Sequence, residues 1–297
     1  MKKPIRSLTP IIRVTSQNKS IVQVPSHLRP MQFSRYPSDN AITFERWYLN
    51  DWSNRDERDR IYLPVQWTAL YCNNGYGNSL IVNTIQKFLN DLDTTKRYYT
   101  IVQYDDGILN DISHLDIKVL AMAGPRIDYP LPLLCMPHKF SFGLNIKRDI
   151  FASFVGNYTH PMRAQMVEQL KGKEGYYVST KPHDLRDYCQ ILARSKYALC
   201  PRGYGQSSFR IQEAIDFGAI PVYISDEHIF PYGLPFLYGM ILGPEDDIDK
   251  TLKHQETYGD NLRQLEHYKE KFTYAGCKKE ILKELLKSEA DDTANDL

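Results

Sequence analysis

The chain contains 297 residues, of which 42% are hydrophobic and 25% charged, with a formal net charge of +1. This length favours two domains of roughly 150 residues each, and the near-neutral charge argues against nucleic-acid binding, which rests on a basic surface. The five cysteines are widely spaced and form no CxxC or CxxH pair, so neither a disulfide framework nor a zinc site is indicated.

The first segment, residues 1–38, carries seven basic residues and no acidic one. A targeting arm or an anionic contact would use such charge, but we favour a basic leader whose strands "IIRV" and "SIVQV" dock on the core. No apolar run in the sequence reaches the ~18 residues of a membrane helix, and no signal-peptide core is visible. The sequence therefore predicts a cytoplasmic protein without a membrane span.

In the first half, apolar runs of strand length surround one helical segment. "RIYLPVQWTALY" (60–71) is typical of a buried strand, "NSLIVNTIQKFLNDL" (78–92) has apolar residues at helical spacing, and "YYTIVQY" (98–104) and "IKVLAMAG" (117–124) are further strands. The proline-broken "YPLPLLCMP" (129–137) precedes a shift in composition. We therefore predict a boundary near 140–150 and two domains, 1–145 and 146–297.

The second half alternates more regularly. Strands are predicted in "FASFVGN", "GYYVST", "YALCP" and "IPVYIS", and helices in "MRAQMVEQL", "HDLRDYCQILARS" and "SFRIQEAIDFG". Two successive β–α runs predict an α/β fold of two doubly wound, Rossmann-like domains facing a central cleft. A closing helix is expected over residues 261–287.

Two strand-to-helix turns of the second half carry arginines. Gly156 ends one strand, and Arg163 lies one turn into the next helix. The second turn, "PRGYGQSSFR" (201–210), has glycines that allow close backbone approach, two serines that can cap the helix, and an arginine on either side. It nearly matches GxGxxG, but it follows the third strand of its half, which disfavours a nicotinamide site. Arg210, with Glu213 one turn further in, instead suits a nucleotide diphosphate.

The stretch "CPRGYGQSSFRIQEAIDFGAIPVYISDE" resembles the signature region of exostosin-like glycosyltransferases, glycosyltransferase family 47. "FVGN…R" (154–163) is similar to an upstream element of that family, and the resemblance covers roughly residues 150–235. It implies a GT-B architecture, inversion at the anomeric carbon and no obligatory metal or other cofactor. Short exostosin-like transferases encoded by large algal viruses, among them a β-xylosyltransferase, are also similar. UDP-xylose is therefore one implied donor, with a glycan or glycoprotein as acceptor.

The resemblance also implies roles for individual positions. Arg163 and Arg210 would hold the diphosphate, with Arg202 as a further candidate, and Glu213 would bond the ribose or the donor sugar. The remaining residues assigned to the nucleotide-sugar site are Gly156, Asn157, Tyr204, Ser207, Ser208 and Phe209.

An inverting transfer needs one base to take the proton from the acceptor hydroxyl. Asp105 and Asp106 are the leading candidates because they end a buried strand at its carboxyl edge, and adjacent carboxylates raise one pKa. Asp51 and Glu45, which stand beside aromatic residues, are the alternatives. A plain Asp-Gly turn would explain the first pair equally well. The loop 73–78 is either an acceptor contact or only a loop.

The sequence leaves several alternative interpretations open. Asp91-Leu92-Asp93 matches the metal-binding DxD triplet of another glycosyltransferase fold, but it ends a helical run and is interpreted as a solvated helix terminus. No metal is assigned. The alternatives to a UDP-sugar transferase are a GDP-fucose-type transferase and a nucleotide-sugar-binding protein without catalysis.

Overall fold

A computed structural model describes residues 20–29, 42–52, 59–140, 142, 146–234, 240–253 and 258–295. The predicted strand "IIRV" lies outside these residues, and of "SIVQV" only Ile21 forms a bridge, to Tyr62. The described α-helices are α1 (Phe44–Asp51), α2 (Trp67–Asn73), α3 (Ser79–Asn90), α4 (Pro161–Leu170), α5 (Leu185–Arg194), α6 (Arg210–Asp216), α7 (Ile248–Lys253), α8 (Tyr258–Tyr268) and α9 (Tyr274–Asn295).

The first sheet contains four parallel strands in the order in which they occur along the chain. They are β1 (Ile61–Tyr62), β2 (Arg97–Val102), β3 (Asp116–Ala121) and β4 (Tyr129–Pro130). The α/β class is confirmed. In a doubly wound sheet the strand order reverses at one point. The order of the described strands in this sheet does not reverse, because each crossover adds its strand on the same side of the previous one.

The predicted strand over residues 60–71 is mostly wrong. Only Ile61 and Tyr62 pair with β2, and the chain then runs through Pro64 into the helix α2. A proline cannot donate to a strand ladder, so it ends the pairing here. Five consecutive residues of α2, from Trp67 to Tyr71, are buried. A short, fully buried helix has no polar face, so its periodicity cannot be distinguished from that of a buried strand.

The second sheet contains five parallel strands in which the order reverses. The strands are β5 (Ile150–Val155), β6 (Tyr176–Ser179), β7 (Ser195–Pro201), β8 (Ile220–Ile224) and β9 (Met240–Leu242), and their order is β6-β5-β7-β8-β9. The residues of β7 and β8 are buried almost throughout, as in sheets covered on both faces. The crossover after β5 and the crossover after β7 run to opposite sides of the sheet, so the loops that follow these two strands open a crevice at the carboxyl edge.

The two halves are joined by more than the connecting segment. Gln212 on α6 accepts from the backbone N–H of Cys135 (2.6 Å) and donates to its carbonyl (2.9 Å). The predicted closing helix is interrupted at residues 269–273, and its second part, α9, returns to the first half. There Glu284 pairs with Lys118 at 2.7 Å, and the hydroxyl of Tyr274 donates to the carbonyl of Ile42. The boundary between 1–145 and 146–297 stays a prediction.

Among the described helices, none combines the length and the apolar character required to cross a membrane.

Candidate functional site

A cavity of about 270 Å³ lies in the crevice at the carboxyl ends of β5 and β7. This is the place where open parallel sheets bind ligands, because the loops diverge there. Residues from both halves of the chain line it: Asp105, Leu133, Thr159, Arg163, Gly203, Tyr204, Ser207, Ser208, Phe209, Arg210 and Glu213.

Arg210 is fixed in this cavity by its neighbours on β5. Its guanidinium lies 4.8 Å from the ring centroid of Phe154, and its Nη2 donates to the carbonyl of Val155 at 2.6 Å. A Cβ atom at Gly156 would lie 2.7 Å from the same Nη2. Glycine at position 156 therefore makes room for the arginine. The N–H of Gly156 donates to the carbonyl of Ser179, so it is committed to the sheet and not to a ligand.

Arg163 links the two turns on either side of the crevice. Its Nε donates to the carbonyl of Arg202 (2.9 Å), its Nη1 to that of Asn157 (3.0 Å) and its Nη2 to that of Pro201 (3.4 Å). Burial, followed by the like charge of Arg210, lowers the pKa of Arg163 to about 10, so the side chain stays charged at neutral pH. Arg163 thus contributes charge to the cavity while holding both loops in register.

Three buried polar atoms around the cavity have no hydrogen-bond partner among the described residues. They are the Oγ1 of Thr159, the Oγ of Ser207 and the Nε of Arg210. Buried polar groups in proteins are almost always paired, because an unpaired one costs about 1–3 kcal/mol. Unpaired hydroxyl and N–H groups beside two arginines suit a bound anion, because its oxygen atoms would accept the missing hydrogen bonds.

Glu213 is held by two neighbours that the sequence analysis did not identify. Its carboxylate is 2.8 Å from the Nε2 of His138 and accepts from the hydroxyl of Tyr188 at 2.5 Å. Burial opposes the charge of Glu213, but these two hydrogen bonds and the positive Arg210 outweigh it, and the pKa is lowered. Glu213 is therefore an oriented carboxylate at the wall of the cavity, available to a hydroxyl of a ligand.

Asp105 comes from the first half and lies against the glycine turn of the second. A Cβ atom at Gly205 would be 2.6 Å from its Oδ1, and the N–H of Gly205 donates to the carboxylate. Burial, then the adjacent Asp106, raise the pKa of Asp105 to about 6, although Arg202 and the Gly205 hydrogen bond act the other way. An acid in this range is suited to general-base work near neutral pH.

The other acidic candidates lie elsewhere. Asp106 is exposed and is not among the residues that line the cavity. Asp51 ends α1 and pairs with Lys278 at 3.0 Å. Glu45 is only 1% exposed and accepts from the backbone N–H groups of Thr68 and Gln103, so it has a structural role. Asp91 caps the end of α3, as interpreted from the sequence.

Seven of the ten residues assigned to the nucleotide-sugar site line the cavity, and three do not. The exceptions are Gly156; Asn157, whose carbonyl accepts from Arg163; and Arg202, which pairs with Asp226 and with carbonyls of its own turn. The idea that the two serines cap the helix is wrong. Phe209 is the N-cap of α6, and Ser208 receives only a long, 3.4 Å bond from the Arg210 N–H.

Thr159, His138 and Tyr188 are among the site residues that were not predicted from the sequence. Thr159 stands in the "GNYTHPMR" turn, so its position between a strand and an arginine was the available signal. Nothing in the sequence connects the other two with Glu213, which lies 75 and 25 residues away along the chain.

Within the described ranges, no group of three or more His, Cys, Asp or Glu side chains is placed to hold a metal ion. The absence of a metal requirement stays a prediction.

Comparison with known families identifies the segment that contains most of this site. Residues 116–235 match the family model described as the Exostosin GT47 domain. The resemblance inferred from the signature region is therefore confirmed. The matched segment begins at β3 and includes both arginine-bearing turns, whereas Asp105 lies just before it.

Several plant proteins are similar to this chain. A probable glycosyltransferase of Arabidopsis thaliana is 31% identical over 114 residues, which are 36% of this chain and 24% of the relative. A second from the same plant is 24% identical over 218 residues, covering 61% and 40%. A probable glucuronosyltransferase of Oryza sativa subsp. japonica is 33% identical over 97 residues, covering 32% and 23%. The chain thus spans less than half the length of these relatives.

A chain in the crystal structure of the GtfA/B complex aligns with 76% of this chain and 57% of its own length, at 10% identity and a TM-score of 0.38.

Proposed function

We propose, from the match of residues 116–235 to the Exostosin GT47 domain, that this chain is an inverting glycosyltransferase using a nucleotide-sugar donor. In this proposal the two sheets are the two halves of a GT-B arrangement. The second binds the donor, and the first contributes the acceptor side. The observation that carries the proposal is the set of unpaired buried polar atoms beside Arg163 and Arg210 in the crevice of the second sheet.

The donor diphosphate would occupy the floor of the cavity. Arg210, with its free Nε–H, and the hydroxyls of Thr159 and Ser207 would pair with phosphate oxygens. Arg163 would add positive charge, and those of its N–H groups that do not bond the carbonyls of Asn157, Pro201 and Arg202 could donate to the diphosphate. These two positive side chains can neutralise the leaving diphosphate, so the proposed transfer is metal-independent. Glu213 would accept a hydrogen bond from a ribose or sugar hydroxyl.

Asp105 would act as the base of the transfer. Its carboxylate removes the proton from the acceptor hydroxyl as that oxygen attacks the anomeric carbon, and the bond from this carbon to the diphosphate oxygen breaks on the opposite side. One displacement inverts the anomeric centre, so an α-linked donor gives a β-linkage. The observation that favours Asp105 over Asp106, Asp51 and Glu45 is that it lines the same cavity as the two arginines.

UDP sugars are the proposed donors. UDP-xylose follows from the family resemblance, and UDP-glucuronic acid is added because several relatives are named probable glucuronosyltransferases. The first test is a thermal-shift series with UDP and GDP, followed by measurement of nucleotide release from UDP and GDP sugars with glycan acceptors. Stabilisation by UDP and acceptor-dependent release support the proposal. Stabilisation by GDP alone favours the GDP-fucose-type alternative, and UDP binding without any turnover favours a binding protein.

Asp105→Asn distinguishes catalysis from donor binding. We expect UDP affinity within about threefold of wild type and a loss of turnover of at least ~100-fold, as for removal of a general base. Turnover equal to that of the wild type would remove Asp105 from the mechanism.

A further inference from the structure

The loop between α2 and α3 presents an aromatic ring in an uncommon backbone conformation. Gly75, Tyr76 and Gly77 are consecutive residues with positive φ, at 63°, 59° and 83°. Tyrosine disfavours this left-handed region, so the surrounding structure has to maintain it. Gly77 donates to the carbonyl of Tyr71 at 3.1 Å, and the Tyr104 hydroxyl donates to the carbonyl of Tyr76 at 3.3 Å.

The conformation does not bury the ring. The side chain of Tyr76 is 62% exposed, and its neighbours Gly75 and Asn78 are exposed as well. A Cβ atom at Gly77 would lie 2.2 Å from the Cδ1 of Leu109, so Leu109 closes one side of the loop. The loop therefore holds a tyrosine towards solvent in a strained backbone conformation. This arrangement is expected of a binding contact and not of a core residue.

Tyr104 connects this tyrosine with the candidate active site. Its hydroxyl donates to the backbone carbonyl of Tyr76, and burial, followed by the negative charge of the neighbouring Asp106, raises the pKa of that hydroxyl. Asp106 is exposed, and the preceding residue, Asp105, lines the cavity. The loop that carries the exposed Tyr76 thus contacts the residue directly before Asp105 and Asp106, just after the end of β2.

We propose that Tyr76 and Asp106 form the acceptor subsite and that its ligand is a saccharide. The ring of Tyr76 stacks against the C–H face of one sugar unit, and Asp106 accepts a hydrogen bond from a hydroxyl of that unit or its neighbour. The sugar so held presents a further hydroxyl to Asp105. This inference rests on the proposed function, because it assigns the second substrate of the same reaction.

The test separates acceptor binding from donor binding. Tyr76→Gly removes the ring and suits the positive φ, so the variant should fold with a Tm equal to or slightly above that of the wild type. Tyr76→Phe keeps the ring. Leu80→Ala is the matched control, because Leu80 is 76% exposed on the adjacent first turn of α3. Each variant is assayed for nucleotide release from UDP-xylose and UDP-glucuronic acid, with p-nitrophenyl β-xyloside, β-galactoside and β-glucuronide as acceptors.

We expect Tyr76→Gly to raise the KM for the acceptor at least ~10-fold, while the KM for the donor and acceptor-independent hydrolysis of the donor stay within twofold of wild type. Tyr76→Phe and Leu80→Ala should retain the wild-type acceptor KM. An unchanged acceptor KM in Tyr76→Gly, or an equal effect of Leu80→Ala, overturns the subsite.

Failure of the proposed function has a different signature, in which the wild type releases no nucleotide from any donor. Binding of the three glycosides is then followed by saturation-transfer NMR in the presence of UDP. Binding that Tyr76→Gly abolishes still supports the subsite, and binding that is absent or unchanged by the variant overturns it.

Discussion

Gly156→Ala should weaken donor binding although residue 156 has no ligand contact of its own in the proposal. The added Cβ would lie 2.7 Å from the Nη2 of Arg210 and 3.2 Å from the Cζ of Phe154, whereas real Cβ atoms essentially never approach within 3.0 Å. The guanidinium would have to move by roughly 0.5–1 Å. The 2.6 Å bond from Nη2 to the carbonyl of Val155 would then lengthen or break.

The size of the effect follows from that bond. A hydrogen bond made by a charged group contributes about 1.5–3 kcal/mol. If its loss releases Arg210 from the geometry that aims Nε into the cavity, UDP should bind about 10- to 100-fold more weakly. Isothermal titration with UDP measures this directly. Gly243→Ala is the control, since a Cβ there meets only the Oδ2 of Asp246, at an ordinary 3.7 Å.

A double variant shows whether Gly156 acts through Arg210. Arg210→Ala by itself should cost about 2–5 kcal/mol of UDP affinity, as expected when a buried anion loses a charged partner. Adding Gly156→Ala to it should then change the affinity by less than about threefold, because the two effects share one mechanism. Affinity within twofold of wild type in Gly156→Ala alone, or fully additive losses in the double variant, would refute the reasoning.

Three further predictions concern charge and stability. With Asp105 as the base, kcat/KM should fall towards acid pH with a midpoint near the Asp105 pKa of about 6. Asp106→Asn should move that midpoint to lower pH, because it removes a like charge beside Asp105. A pH profile of nucleotide release that is identical in both proteins contradicts this prediction. Arg163→Ala should lower the free energy of unfolding in urea by about 2–4 kcal/mol, because the carbonyls of Asn157, Pro201 and Arg202 lose their common donor; a wild-type midpoint would show that these bonds do not stabilise the fold. Burial raises the pKa of Glu45 to about 7, so its contribution to stability is present at acid pH and is lost as pH rises through 7. Between pH 5 and 8 the free energy of unfolding of the wild type should fall by on the order of 3 kcal/mol more than that of Glu45→Gln. Parallel pH dependences in the two proteins would disprove this prediction.

The order of elements from β5 to β8 followed from the sequence, whereas β9 and α7 were not predicted. The predicted strands there, β5 to β8, are runs of four to seven mostly apolar residues, and the helical segments between them carry charged and amide residues among their apolar ones, so the two patterns are locally distinct. The same reasoning placed Arg210 and Glu213 on one face of a helix, three residues apart, and the structure brings both to the cavity. In the first half, residues 60–71 lack such a polar face, and their helix was missed.

The sequence by itself therefore determined the α/β class, the two arginine-bearing turns and the family to which their pattern points. Only the tertiary structure decided which turns share a crevice, because strand order depends on crossover direction and not on local pattern. It also decided that Asp105 meets Gly205, that His138 and Tyr188 hold Glu213, and that Gly156 makes room for Arg210. These contacts join residues 25 to 100 positions apart, and the packing of whole elements fixes them, which no short stretch of sequence encodes.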